Sequence, residues 1–172
     1  FFAAPILNFE KRVLRKLLIE DLASNDEDIK ILESLLDQVW LGTIHRSLEL
    51  VSRVLILELN VSRVRGDLAG ATPEERFQDF LSKLKSKSYK RELIREYPVL
   101  ARRLYEVILS SCNSHEEFIK RLWNDKEKLR DFLGTDPIKN ISSIDVGVGD
   151  THNGGRTVHI INLDDGKRLV YK

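Results

Sequence analysis

The stretch Gly147-Val148-Gly149-Asp150-Thr151-His152-Asn153-Gly154-Gly155-Arg156 decides how the chain is read. It lies between two β-forming runs, Ile141 to Val148 and Thr157 to Leu163. A third run, Lys167 to Lys172, follows an Asp164-Asp165-Gly166 turn. This order predicts a three-stranded antiparallel meander whose first two strands are joined by a glycine-rich loop. Glycines at 147, 149, 154 and 155 let backbone amides turn towards an anion, and Asp150 and His152 add side chains of both proton-transfer types. A phosphate-binding loop of the Walker kind needs Gly-Lys-Ser/Thr opening a helix, and a dinucleotide fingerprint also needs a helix to follow. Here a strand follows, so neither applies.

Strand, glycine-rich loop, strand, turn and a strand with a lysine is the order of a kinase N-lobe, where the loop covers ATP phosphates and the lysine pairs with them. Lys172 fills that place, with room after Gly155 for one strand, a tight turn and a second strand. The structural alternatives are common ones. Glycine-rich hairpin loops are often only turns, a lysine near a strand end is usually a solvated charge, and an Asp two residues before a His often makes local turn hydrogen bonds.

Upstream, from Asn8 to about Leu133, apolar residues recur three and four apart, as in Val13, Leu14, Leu17, Leu18 and Leu22, then Ile31, Leu32, Leu35, Leu36 and Val39. These stripes read as core. Leu48 to Val64 is apolar on too many sides for a surface helix and is expected to be a central buried one. Thr72-Pro73-Glu74-Glu75 carries the marks of a capped helix start, and Ser114-His115-Glu116-Glu117 carries a similar pattern. Pro98 is expected to separate two helices at Tyr97. The fold class is therefore α+β: a mostly helical region, 1–135, followed by a β-meander, 136–172, that begins a kinase-like N-lobe. Three strands alone are marginal in water, so the sheet must lean on the helices or on further strands.

With 28 basic and 27 acidic residues in 172, the formal net charge is +1, which gives no whole-molecule field to gather nucleic acid or an anionic membrane. An anion site must be local. Cys112 is the only cysteine, which leaves no disulfide framework or multi-cysteine metal site and favours a reducing, cytoplasmic setting. No window reaches the ~18 uninterrupted apolar residues of a membrane-spanning helix, and Phe1-Phe2-Ala3-Ala4-Pro5 lacks the basic flank of a signal peptide. The absence of methionine and the strand-like ending Leu169-Val170-Tyr171-Lys172 suggest a segment of a longer protein.

Over roughly the last two thirds of its length, the chain resembles the N-terminal dehydratase domain of class II lanthipeptide synthetases (LanM). The family's Gly-Asp-x-His-x-x-Gly-Arg-x-Val element is similar to Gly149 through Val158, and its Gly-x-x-Leu-Val-Tyr-Lys strand to Gly166 through Lys172. The resemblance extends to Leu57-Glu58-Leu59-Asn60, Thr72 to Phe77, Glu96 to Arg102 and Arg121-Leu122-Trp123-Asn124-Asp125. It implies a lipid-kinase-like fold that phosphorylates Ser and Thr of a precursor peptide with ATP and Mg²⁺, then eliminates the phosphate to leave dehydro amino acids. A separate zinc cyclase domain follows in the family.

Carried over by position, the resemblance makes Asp150 and His152 catalytic in dehydration and Lys172 the ATP-site lysine; the backbone freedom of Gly147, Gly149, Gly154 and Gly155 and the guanidinium of Arg156 suit them to the phosphates. Arg156 is equally readable as a structural ion pair. The Mg²⁺ and Zn²⁺ ligands are expected outside these residues, leaving this segment inactive alone. Its implied partners are a precursor peptide, with leader and Ser/Thr/Cys-rich core, and the remaining dehydratase and cyclase domains. The implied setting is the bacterial cytoplasm, including the periphery of a membrane export complex. Two other readings are a kinase-like phosphotransferase without elimination and a non-catalytic helical interaction domain. The basic run Lys83, Lys85, Lys87, Lys90 and Arg91 reads as a solvated face, and His45, His115 and His159 as ordinary surface or satisfied residues.

Overall fold

The computed structural model describes residues 3–152 and 156–172, with positions 148–152 described in backbone only. Six helices precede three strands: α1 (Ala4–Leu22), α2 (Asp26–Arg65), α3 (Pro73–Lys83), α4 (Lys87–Glu96), α5 (Pro98–Asn124), α6 (Lys126–Leu133), β1 (Ile141–His152), β2 (Arg156–Leu163) and β3 (Arg168–Tyr171). The chain is mostly helical, with a three-stranded antiparallel sheet at its C-terminal end in the order β1-β2-β3.

Local chemistry sets the helix ends. Asn25 caps α2 by accepting hydrogen bonds from the amides of Glu27 (2.9 Å) and Asp28 (3.0 Å), and three acidic residues, Asp26, Glu27 and Asp28, complement the positive end of the helix dipole. Gly66 closes α2 in the left-handed region at φ 73°. Thr72 and Glu75 form the expected capping box, and α4 ends at Glu96 before α5 opens at Pro98. The junction residue Tyr97 donates a hydrogen bond to the buried carboxylate of Glu58 on α2. That bond is the first cause of a phenol pushed up to about 12.

Two expectations about where helices begin and end fail. Ser114-His115-Glu116-Glu117 does not start a helix, because it lies inside α5 with Ser114 and His115 buried. No proline or glycine interrupts residues 99 to 124, so a helix begun at Pro98 propagates through the capping-like pattern. Leu48 to Val64 is not a separate central helix. It is the second half of the 40-residue α2, with Leu48, Ile56, Leu57 and Val64 exposed and Val51, Glu58 and Ser62 turned inward. Its neighbours α3, α4 and the start of α5 cover one side only.

The core forms where α2, α5 and α1 pack together. Leu32, Leu35, Leu36 and Val39 of α2 and Leu14 and Leu18 of α1 are buried as expected, while Val13 and Leu17 stay exposed. Ion pairs Lys11–Asp37 and Arg15–Glu33 line the α1–α2 seam. The sheet leans on this bundle, β1 against α2 and β2 against α5, and Ile138, Ile144, Ile161 and Leu163 join the same core cluster as the helices. Inward and outward residues alternate along β2, with His159, Ile161 and Leu163 inward.

β1 uses twelve residues where β2 uses eight, and the difference is taken up in register shifts after Ile141, Asp145 and Val148. Gly147 lies within the second of these at φ 76°, a conformation open to glycine at little cost. The strand therefore runs on to His152, paired with Arg156, and only 153–155 separate β1 from β2. The glycine-rich loop expected from 147 to 156 is largely strand, because bulges absorb the extra residues that the sequence pattern assigned to a loop. β3 is likewise shorter than expected, and Lys172 follows it directly.

Candidate functional site

The N-terminal end of β2, the C-terminal end of β3 and the middle of α5 meet at a cleft of about 90 Å³. Arg156 and Lys172, two of the residues singled out in the sequence, both line it. α5 supplies Glu117 and Arg121, one helical turn apart, to the same cleft.

Charge in the cleft is arranged around Glu117. Its carboxylate accepts from Arg156 through Nε at 2.9 Å and Nη2 at 3.1 Å, and also from Arg121. All three side chains reach solvent, at 61% for Arg156, 55% for Arg121 and 28% for Glu117, so the pairs are screened and individually weak. Arg156 is thus in an ion pair, the alternative role the sequence allowed it. Its partner is 39 positions away, a pairing no local pattern contains.

Behind the cleft lies a buried layer of rings. His159 stacks on Phe118 with centroids 4.4 Å apart and planes 10° from parallel, and Tyr171 meets Phe118 edge-on at 4.9 Å. The Thr157 carbonyl lies 3.0 Å from His159 Nδ1, which places the proton on that nitrogen. Deeper, His115 Nε2 lies 2.8 Å from Thr43 Oγ1 on α2, and Ser47 Oγ donates to the Thr43 carbonyl at 2.7 Å. Burial, then His159 and Arg46, pushes His115 down to about 3, and burial also lowers His159. Both imidazoles are neutral in the fold. They are neither surface residues nor fully satisfied ones, since among the described residues His115 Nδ1 and His159 Nε2 have no hydrogen-bond partner. Period-two alternation with Ile161 and Leu163 was the signal that could have placed His159 inside.

Of the remaining candidates, Gly147 sits over α2, where a Cβ would come 3.5 Å from Arg46 Nη2. The backbone of Gly149, Asp150 and His152 belongs to β1, while the side chains of Asp150 and His152 lie outside the described residues. So do Gly154 and Gly155. Cys112 is buried on α5, and burial first pushes its thiol up to about 12, which makes it a poor nucleophile. Among the described residues no group of three or more His, Cys, Asp or Glu is placed to hold a metal ion.

The arrangement suits an anion. Two guanidiniums share one carboxylate, Lys172 lines the same cleft, and the space matches a phosphate group better than a nucleotide, whose sites run to about 300–1,000 Å³. The unit so defined is an α+β module with a cationic cleft where its sheet meets α5. Residues 97–172, which hold every residue of that cleft, match a family described as a domain of unknown function (DUF4135). No curated protein matches the chain. Among the described residues no helix is long and apolar enough to cross a membrane.

Proposed function

We propose that this chain is part of the dehydratase of a class II lanthipeptide synthetase, which phosphorylates Ser and Thr of a precursor peptide and then eliminates the phosphate. The observation that carries the reading is the meeting of Arg156 and Lys172 at one cleft. They stand at the two ends of the β2–β3 hairpin; Lys172 is the position that the family resemblance makes the ATP-site lysine, and Arg156 carries a guanidinium suited to a bidentate phosphate contact. The match of residues 97–172 to DUF4135, a domain known in lanthipeptide synthetase-like proteins, also supports it.

On this reading β1 to β3 are the opening strands of a kinase-like N-lobe and the helices are its scaffold. ATP supplies the phosphoryl group. The described cleft accommodates its phosphate end and leaves the rest of the nucleotide to further parts of the lobe. Lys172 contributes a point charge to the phosphates, and Arg156 a planar fork suited to two of their oxygens. Elimination needs a base for the α-proton and a donor or cation at the departing phosphate, and Asp150 and His152 are the pair assigned to that step. Mg²⁺ ligands are assigned to residues beyond this chain.

The test is mass spectrometry of a Ser/Thr-rich precursor peptide incubated with the full dehydratase, ATP and Mg²⁺. Loss of water from the peptide is expected. Asp150→Asn or His152→Ala should slow that loss on the order of 10²- to 10⁴-fold, the usual range for removing a general acid or base. Stable phosphate addition with no loss of water would identify a plain phosphotransferase, for which the same two cations would serve. An unmodified peptide would leave the helical interaction domain as the better account.

A further inference from the structure

We propose that Glu117 is a built-in competitor for the phosphate site, a carboxylate that occupies the place of the anion and, while it does so, latches the start of β2 to α5. The inference rests on reading the cleft as a phosphate site, and it adds Arg121 to that site as a further cation.

The geometry leads there in three steps. Glu117 accepts hydrogen bonds from both Arg156 and Arg121, so one carboxylate occupies the fork faces with which guanidiniums bind phosphates. Glu117 and Arg121 share one face of α5 and would stay close whatever the sheet did. Arg156 is different, because it arrives from the first position of β2, immediately after the segment that joins the strands. Its bond to Glu117 is therefore a tie between two elements. Finally, the pair is more than half exposed on the arginine side, in the class whose net worth is about 0.2–1 kcal/mol, weak enough for an anion of higher charge to displace.

A phosphate offers more acceptor oxygens than a carboxylate and up to twice its charge, so it can take both guanidiniums at once while Lys172 faces it from the end of β3. Glu117 must then give up Arg156. Phosphate binding and the tie between β2 and α5 exclude each other at this residue. In the hairpin Arg156 is the register partner of His152, so the residue that changes partner stands opposite the strand end that carries Asp150 and His152.

The experiment is calorimetric titration of the chain with inorganic phosphate at low ionic strength, comparing the native sequence with Glu117→Gln, Glu117→Asp and Arg121→Gln. Arginine Nε–H resonances are followed in parallel. Glu117→Gln should bind phosphate about 1.4- to fivefold more tightly, the gain from removing an exposed competing pair. Glu117→Asp, which keeps the charge, should fall between Gln and native, and Arg121→Gln should bind several-fold more weakly than native. In the native chain the Arg156 Nε–H signal should move as phosphate is added, and in Glu117→Gln it should begin near the phosphate-bound position. If native chain binds phosphate and Glu117→Gln binds equally or less well, the competitor is overturned while the phosphate site stands. If neither binds, both fall.

Discussion

At the residue scale, the least expected feature is the pair of neutral, buried imidazoles. In the folded chain His115 protonates only near pH 3, whereas an unfolded histidine protonates near 6.5. Between those values the unfolded state binds the proton and the folded state does not, so stability is complete above about pH 6.5 and declines as pH falls. The decline steepens towards about 1.4 kcal/mol per pH unit for each such group, and His159 is shifted in the same direction. Arg46 from α2 and His159 from β2 both oppose charging His115. Urea unfolding at pH 7, 6 and 5 should show the fall, and His115→Asn should flatten it over that range. An unchanged slope would mean that other groups govern acid sensitivity.

At this same scale the sequence was partly legible. Arg156 and Lys172 were visible because charged residues beside glycine-rich strand ends are few and their order along the chain is informative. Glu117 and Arg121 were not, since an i,i+4 pair on a helix is so common that nothing marks this one as facing the sheet. Asp150 and His152 stood out as proton-transfer side chains among glycines and were given a role by resemblance, and their side chains lie outside the described residues.

At the element scale, the fit between α2 and β1 depends on one absent side chain. A Cβ on Gly42 would overlap the Val146 side chain, so the helix and the strand approach closely only because residue 42 is glycine. Alanine is favoured over glycine within a helix by about 1 kcal/mol, and overpacking costs about 1–3 kcal/mol. Since the overlap is with a branched side chain already packed on the core, the steric term should win, and Gly42→Ala should destabilise by about 1–2 kcal/mol. Val146→Ala should relieve that loss in the double variant. Chemical denaturation of the four proteins measures the coupling, and strictly additive effects would remove the steric explanation.

The elements also show which sequence signals are decisive. Thr72 with Glu75, and Pro98 after Tyr97, act within a turn or two of backbone and fixed their helix ends. Ser114 with Glu117 has similar chemistry and fixed nothing, because a cap forms only where the preceding backbone has already left the helix. The bulges of β1 were invisible for a related reason. Register is a property of two strands, and β1 alone does not say how many of its residues its partner will match.

At the scale of the whole molecule, sheet and helices are one folding unit. The inward face of β2 is completed by Phe118 of α5, and β1 rests on α2. A peptide of residues 136–172 should therefore lack a cooperative thermal transition and strand-like circular dichroism, since three strands without their supporting face are marginal in water. A cooperative transition in that peptide would show that the sheet is autonomous. The α+β order, the antiparallel meander and the capped helix start at Thr72 were determined by the sequence alone. Each follows from periodicity or turn chemistry within a few residues. Which half of α2 is buried, where β1 bulges, that His115 and His159 lie inside, and that Glu117 meets Arg156 were decided only by tertiary structure. These depend on which surfaces residues distant in the chain bring together, and burial, register and ion pairing have no meaning until that partner surface exists.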